Sequence, residues 1–243
     1  MTHLFGPWRF VGPVEQENHP MTQPVYTIRR GPTGGIGPKD LWDRAEVAQI
    51  DHFHPASVSQ HPKTECRVLY NQEGFRYSFQ VRDRWVRAQA LNYQDQVCLD
   101  SCVEFFVQAA GAPGYFNFEV NCIGTLLLSY IEDPHRTPTG FVKATPVRAQ
   151  DVARITIEPS ITQRPFLPER TEPLTWQVDV GVPFELLRSY VPDFQIPRSG
   201  TEWRGNFFKC GDETSHPHWA SWAPIGEELN FHVPRYFGKL VFE

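Results

Sequence analysis

The 243-residue chain has little of several things that would place it quickly. It has two methionines, Met1 and Met21, both outside any patterned segment, which removes a haem site of the Met/His kind. No apolar run approaches the roughly 20 residues needed to cross a bilayer. Charged residues are 21% and the net charge is −5. So weak an acidic balance gives no electrostatic reason to bind nucleic acid or an anionic membrane, and neither is expected as a partner. There is no G-x-G-x-x-G or Walker-type loop to cradle a nucleotide. No serine or cysteine stands in the local context of a nucleophile motif. The start, Met1-Thr2-His3-Leu4-Phe5-Gly6-Pro7-Trp8, lacks the basic opening and apolar stretch of a signal peptide, so the expectation is a cytoplasmic protein or the mature form of an exported one.

Cysteine is also scarce. Cys66, Cys98, Cys102, Cys122 and Cys210 make an odd number, with no C-x-x-C pair. That argues against a disulfide framework and against a cysteine zinc site. Cys122 and Cys210 fall in strand-like apolar runs, where a thiol acts as a small core hydrophobe.

What is present is turn punctuation and alternation. The 22 prolines and 17 glycines are scattered, as many turns require. Hydrophobic residues are 40%, enough for a core. Phe75, Tyr77, Phe79 and Val81 alternate strictly with Arg76, Ser78, Gln80 and Arg82. Leu174, Trp176, Val178 and Val180 alternate in the same way, as do Phe116, Phe118, Val120 and Cys122. Further strands are expected at 66–70, 101–108, 153–158, 203–210 and 238–242, with one short helix over Pro183–Tyr190. Many short strands and turns predict an all-β, antiparallel two-sheet β-sandwich, jelly-roll-like, with that one helix. Residues 1–39 read as a Pro/Gly-rich lead-in packed on the domain, and 40–243 as a single domain. Pro134–Gln150 reads as an excursion between strands and Gln163–Pro173 as loop.

Two groups of residues carry chemistry. Strands 101–108 and 115–123 flank a six-residue Ala-Gly-Pro loop, which predicts a hairpin. Pairing Gln108 with Tyr115 sets Phe106 opposite Asn117 and Glu104 opposite Glu119. Opposed like charges are destabilising, so either a cation or ligand hydroxyls lie between them, or both point into water. Arg204, Lys209 or a metal are candidate cations. The second group is Asn206–Trp219, dense in polar side chains. In extended backbone His216 and His218 point to one side, as a two-histidine metal site requires. The alternative is a turn whose histidines cap backbone groups. Trp219 and Trp222 flank it, as core or as a platform for a sugar face.

In order along the chain, Asp40-Leu41-Trp42-Asp43-Arg44-Ala45, Cys66–Tyr70 running into Phe75–Asp83, Asp100–Val107, Tyr115–Asn121 and Tyr236–Phe242 resemble the family 9 carbohydrate-binding modules. That resemblance implies an antiparallel sandwich that binds a glucose-type mono- or oligosaccharide between two aromatic rings, with structural calcium in some members. Glu104 resembles an acidic sugar-contacting position and Asn121 a polar one on the neighbouring strand. Glu119 stands where the family has arginine. The first aromatic clamp falls near Val97-Cys98-Leu99, where Trp85 and Tyr93 are the nearest rings, and the second near Phe231. The expected sugar site is therefore Glu104, Glu119, Asn121, Asn206, Lys209, Trp219, Trp222 and Phe231. The competing expectation is a metal-dependent enzyme acting on a sugar or sugar derivative through His216, His218 and the carboxylates. The divalent metal would be structural calcium or a His-bound transition metal.

Overall fold

The structure is a computed structural model that describes residues 23–32, 39–58 and 60–243. The alternating segments become strands because alternate side chains of an extended chain point to opposite faces, so such a pattern buries one face only as β. The main strands are β1 (Val25–Arg30), β2 (Lys63–Tyr70), β3 (Gly74–Asp83), β4 (Cys102–Gln108), β5 (Tyr115–Asn121) and β6 (Ser129–Thr137). They continue with β7 (Gly140–Pro146), β8 (Thr156–Pro159), β9 (Leu174–Pro183), β10 (Glu202–Cys210), β11 (Trp219–Ser221) and β12 (Gly238–Phe242).

One sheet runs β7-β6-β5-β4-β10-β12-β1 and the other β1-β2-β3-β9-β8, giving a two-sheet β-sandwich. β1 belongs to both. Its residues Val25–Ile28 pair with β12 and Arg29–Arg30 with β2, both in parallel. This corrects the wholly antiparallel expectation at one strand. It also puts part of the 1–39 lead-in into the sheets; residues 1–22 and 33–38 lie outside the described residues. The Phe184–Arg188 helix follows Pro183 as expected, and Ala149–Val152 adds a single further turn. Among the described residues no helix is long and apolar enough to cross a membrane.

Trp176 stands opposite Val81, Val178 opposite Phe79 and Val180 opposite Tyr77. These side chains share one core with Val103, Phe105, Phe116, Phe118, Trp203 and Phe207 of the facing sheet. Each large side chain taken out of water there contributes about 1.5–3 kcal/mol before entropy is counted.

Two segments read as irregular are strands. Pro134–Gln150 is mostly the β6–β7 hairpin, with Tyr130 opposite Thr145 and Thr137 opposite Gly140. Register shifts at Ile131/Asp133 and Asp133/Arg136 break its alternation, which hid it. Within Gln163–Pro173, Phe166–Arg170 pairs with Val86–Ala88.

The outer face of the first sheet is not open to water. Phe106, Tyr115 and Phe208 on that face pack against Ile131, Ile225 and Phe237. The β6–β7 hairpin and the 222–237 segment thus roof the face, and a cavity remains between roof and sheet.

Candidate functional site

β4 and β5 pair with Glu104 opposite Glu119 and Phe106 opposite Asn117, the register read from the sequence. Cys102, Glu104, Asn117 and Glu119 therefore share the roofed face. The cavity there has a volume of about 520 Å³, within the usual range for small-ligand sites. Glu104, Glu119, Trp219 and Phe231, four of the expected residues, line it together. Asn117, Arg136, Phe141, Cys98, Asp212 and His232 complete much of the wall.

Both carboxylates are buried, Glu104 to 3% exposure and Glu119 to 6%. Asn117 Nδ2 donates to Glu119 Oε1 at 2.8 Å, and the Ser129 N–H donates to Asn117 Oδ1 at 2.7 Å. The Cys210 thiol donates to Glu104 Oε1 at 3.2 Å. Loss of water raises the Glu104 carboxyl well above the ordinary value, and the neighbouring Glu119 charge raises it further. Burial likewise pushes Glu119 up to about 7, against the pull of the Asn117 hydrogen bond and of Arg136. Burial raises Asp212 too, although the Trp219 indole N–H donates to it at 2.7 Å. The site is thus a set of desolvated carboxyls, all raised by burial, of which Glu119 protonates at about 7.

Aromatic rings edge this polar floor. Phe231 stacks on Phe208 at 4.1 Å and 12°. The Arg136 guanidinium lies 4.1 Å over the Phe141 ring. Trp219 is fixed by its Asp212 bond and makes no ring contact with Phe231 among the described residues. His232 bonds Tyr115 Oη through Nδ1 at 2.8 Å, and burial holds its imidazole down to about 3.

The other expected residues lie elsewhere. β10 keeps an unbroken register with β4 from Arg204 to Cys210. No bulge intervenes, so Asn206 and Lys209, three positions apart, point to opposite faces. Lys209 enters the core between the sheets. Its Nζ donates to Cys210 O at 2.8 Å and to His218 Nε2 at 2.7 Å, and lies 3.5 Å from Asp83 Oδ2. Asn206 is on the roofed face but fully spent. Its Nδ2 donates to Ala223 O, and its Oδ1 accepts from Ala223 N and Phe207 N. It anchors the start of the roof rather than a ligand. Asn121 holds the next turn, donating to Asp100 Oδ2 and Ala90 O and accepting from Thr125 N. Trp222 packs on Gly238, where a Cβ would come within 2.4 Å of its ring, and beside Tyr26 and Phe207. Arg204 is spent on the Arg235 and Phe237 carbonyls, so the guanidinium in the cavity wall is Arg136.

The two-histidine metal site is not formed. His218 Nδ1 donates to His216 O at 2.8 Å and its Nε2 faces the Lys209 ammonium, which repels a cation. Desolvation and Lys209 lower His218 to about 3, so it is a neutral acceptor. His216 turns away and stacks on Trp85 at 3.5 Å. This geometry does not support metal binding by the His216/His218 pair.

Comparison with known proteins agrees with this architecture. A crystal structure from Bacteroides uniformis ATCC 8492, described as a candidate carbohydrate-binding protein, is 27% identical, with a TM-score of 0.78 over 91% of this chain and 100% of that chain. A family 9 module from Caldicellulosiruptor kristjanssonii in complex with glucose is 13% identical, with a TM-score of 0.57 over 90% of this chain and 96% of its own. The module in complex with cellotriose is 12% identical, with a TM-score of 0.58 over 90% and 94%. These last two share the fold. No curated protein matches the chain. The model of carbohydrate-binding family 9 matches residues 40–242, and the chain belongs to that family.

Proposed function

We propose that the chain binds a sugar of the glucose type, as a monosaccharide or the end of an oligosaccharide, in the cavity over β4 and β5. The observation that carries this reading is the joint placement of Glu104, Glu119 and Asn117 with the Trp219 and Phe231 rings on one cavity wall. A pyranose has apolar C–H faces and a rim of hydroxyls. Buried carboxyl and amide groups satisfy its hydroxyls by hydrogen bonding, and a carboxyl that is ionised accepts bonds about twice as strong as a neutral one. Trp219 and Phe231 both line the cavity, so either ring can offer its face to a sugar. Family membership and the glucose and cellotriose complexes of the Caldicellulosiruptor module support the same ligand class.

Calorimetry against glucose, cellobiose, cellotriose and a panel of other sugars tests the reading. At least one sugar should bind, and Glu104→Ala should weaken it by about 1.5–3 kcal/mol, or roughly 10- to 150-fold. No binding across the panel, or binding untouched by Glu104→Ala, would refute this site.

A further inference from the structure

Cys102 and Cys210 stand directly opposite each other on β4 and β10, and Glu104 lies two residues beyond Cys102 on the same face. Both sulfurs and one Glu104 oxygen lie within 4.8 Å of one another. The three residues are 0%, 1% and 3% exposed. Among the described residues Glu104 has one hydrogen-bond donor, the Cys210 thiol, and no ion pair. A thiol is a weak donor, and buried carboxylates otherwise have stronger partners. This carboxylate is short of a partner, and two soft donors flank it.

The donor spacing fits a tetrahedral ion. Zinc holds sulfur at about 2.3 Å and carboxylate oxygen at about 2.0–2.2 Å, which separates neighbouring donors by about 3.5–3.8 Å. The Cys210 Sγ–Glu104 Oε1 edge is 3.2 Å and no donor pair is more than 4.8 Å apart, which brackets that spacing. Two thiolates select a zinc-class ion over calcium or magnesium, which take oxygen ligands. The ladder between β4 and β10 is regular through this stretch, so the backbone presents the donors on one rigid face. Glu104 and Cys210 also line the cavity, and Cys98 adds a third thiol to the same wall.

We propose that Cys102, Cys210 and Glu104 form a three-donor site for a zinc-class divalent ion, with a fourth position that opens into the cavity. Every donor gives up its proton to solvent as it takes the ion, and water or a ligand hydroxyl fills the open position. This assignment does not rest on sugar binding. It places the metal away from the His216/His218 pair, for which the sequence pattern left a metal site and a capping turn both open.

Cobalt titration tests the site. The full chain is purified under reductant, stripped with chelator and titrated with Co²⁺ alone, followed by its thiolate charge-transfer absorption and tetrahedral visible bands. Wild type and the control Cys66→Ala, whose thiol belongs to the main core, should take one equivalent that Zn²⁺ displaces. Cys102→Ser and Cys210→Ser should lose the charge-transfer band. Glu104→Gln, which keeps both thiols and the side-chain shape, should bind at least tenfold more weakly. It carries the test should a serine variant fail to fold, as read by near-ultraviolet circular dichroism. Absence of the band in wild type, its persistence in either serine variant, unchanged affinity in Glu104→Gln, or a Cys102–Cys210 disulfide in freshly isolated protein would each overturn the proposal.

Discussion

Glu104 and Glu119 face each other directly across β4 and β5, and both are buried. Opposed like charges in a ladder are costly, and desolvation adds to the cost of ionising either. In the fold Glu119 protonates near 7 rather than at its ordinary 4.5. A folded value above the unfolded one gives stability that is fully present below pH 4.5 and is lost as pH rises through 7. Glu119→Gln keeps the Asn117 acceptor and removes the titration. In chelator-treated protein, its stability relative to wild type should therefore rise over that window, by on the order of 3 kcal/mol. Urea unfolding at both ends of the window measures it; a constant difference would show that Glu119 titrates normally in the fold.

The hairpin register was legible because the alternation of 101–108 and 115–123 is unbroken and the loop between them is short. Strand alternation likewise identified the Phe75–Val81 and Trp176–Val180 core. The burial of the Glu104 face was not legible, because alternation marks a polar face without saying what covers it. Its cover comes from β6–β7, disguised by two register shifts, and from 222–237, which Asn206 pins through Ala223. Arg136 and Phe141 were missed for that reason. Asn117 was in view, on the same strand face as Glu119. Lys209 is misassigned because it stands three positions from Asn206, so only a bulge could bring both to one face, and the β4–β10 register has none.

Lys209 instead joins the two sheets through Asp83. Asp83 also accepts from the Trp176 indole N–H at 3.2 Å, from Gln60 Nε2 at 3.2 Å and from the Arg84 N–H at 2.8 Å. Removing the ammonium leaves that buried carboxylate uncompensated, which costs about 3–5 kcal/mol. Lys209→Met should lose about that much by urea unfolding while keeping the wild-type sugar affinity of whatever protein remains folded. A large loss of affinity with stability intact would put Lys209 back in the binding site.

His218 sets a second pH dependence, of opposite sign. Its folded value near 3 lies below the ordinary 6.5. Between these values the unfolded chain binds the extra proton, so stability falls as pH drops from 6.5 toward 3. His218→Gln still accepts from Lys209 and does not titrate. At about pH 5 it should have recovered about 2 kcal/mol relative to wild type, compared with their difference at neutral pH. His232 stays neutral by the same burial in both proteins and cancels from the comparison. Parallel acid-unfolding curves for the two proteins would contradict a neutral, buried His218.

The rings divide by what they already touch. Phe231 has one face covered by Phe208 at 4.1 Å and still lines the cavity, so a sugar would stack on its other face. Covering about 50–60 Å² of apolar surface there contributes about 1.5 kcal/mol, or roughly tenfold in affinity. Phe231→Ala should lose that factor, and Phe231→Leu part of it. Trp219→Ala should lose as much again and also free Asp212 from its indole partner. Trp222 is packed against Gly238, Phe207 and Tyr26, away from the cavity lining. Trp222→Ala should therefore lower the melting temperature and leave the dissociation constant unchanged. Calorimetry and thermal unfolding on these four variants separate the roles. A Trp222→Ala protein that stays folded but binds tenfold more weakly, beside a Phe231→Ala protein that binds normally, would move the sugar to the other side of β10.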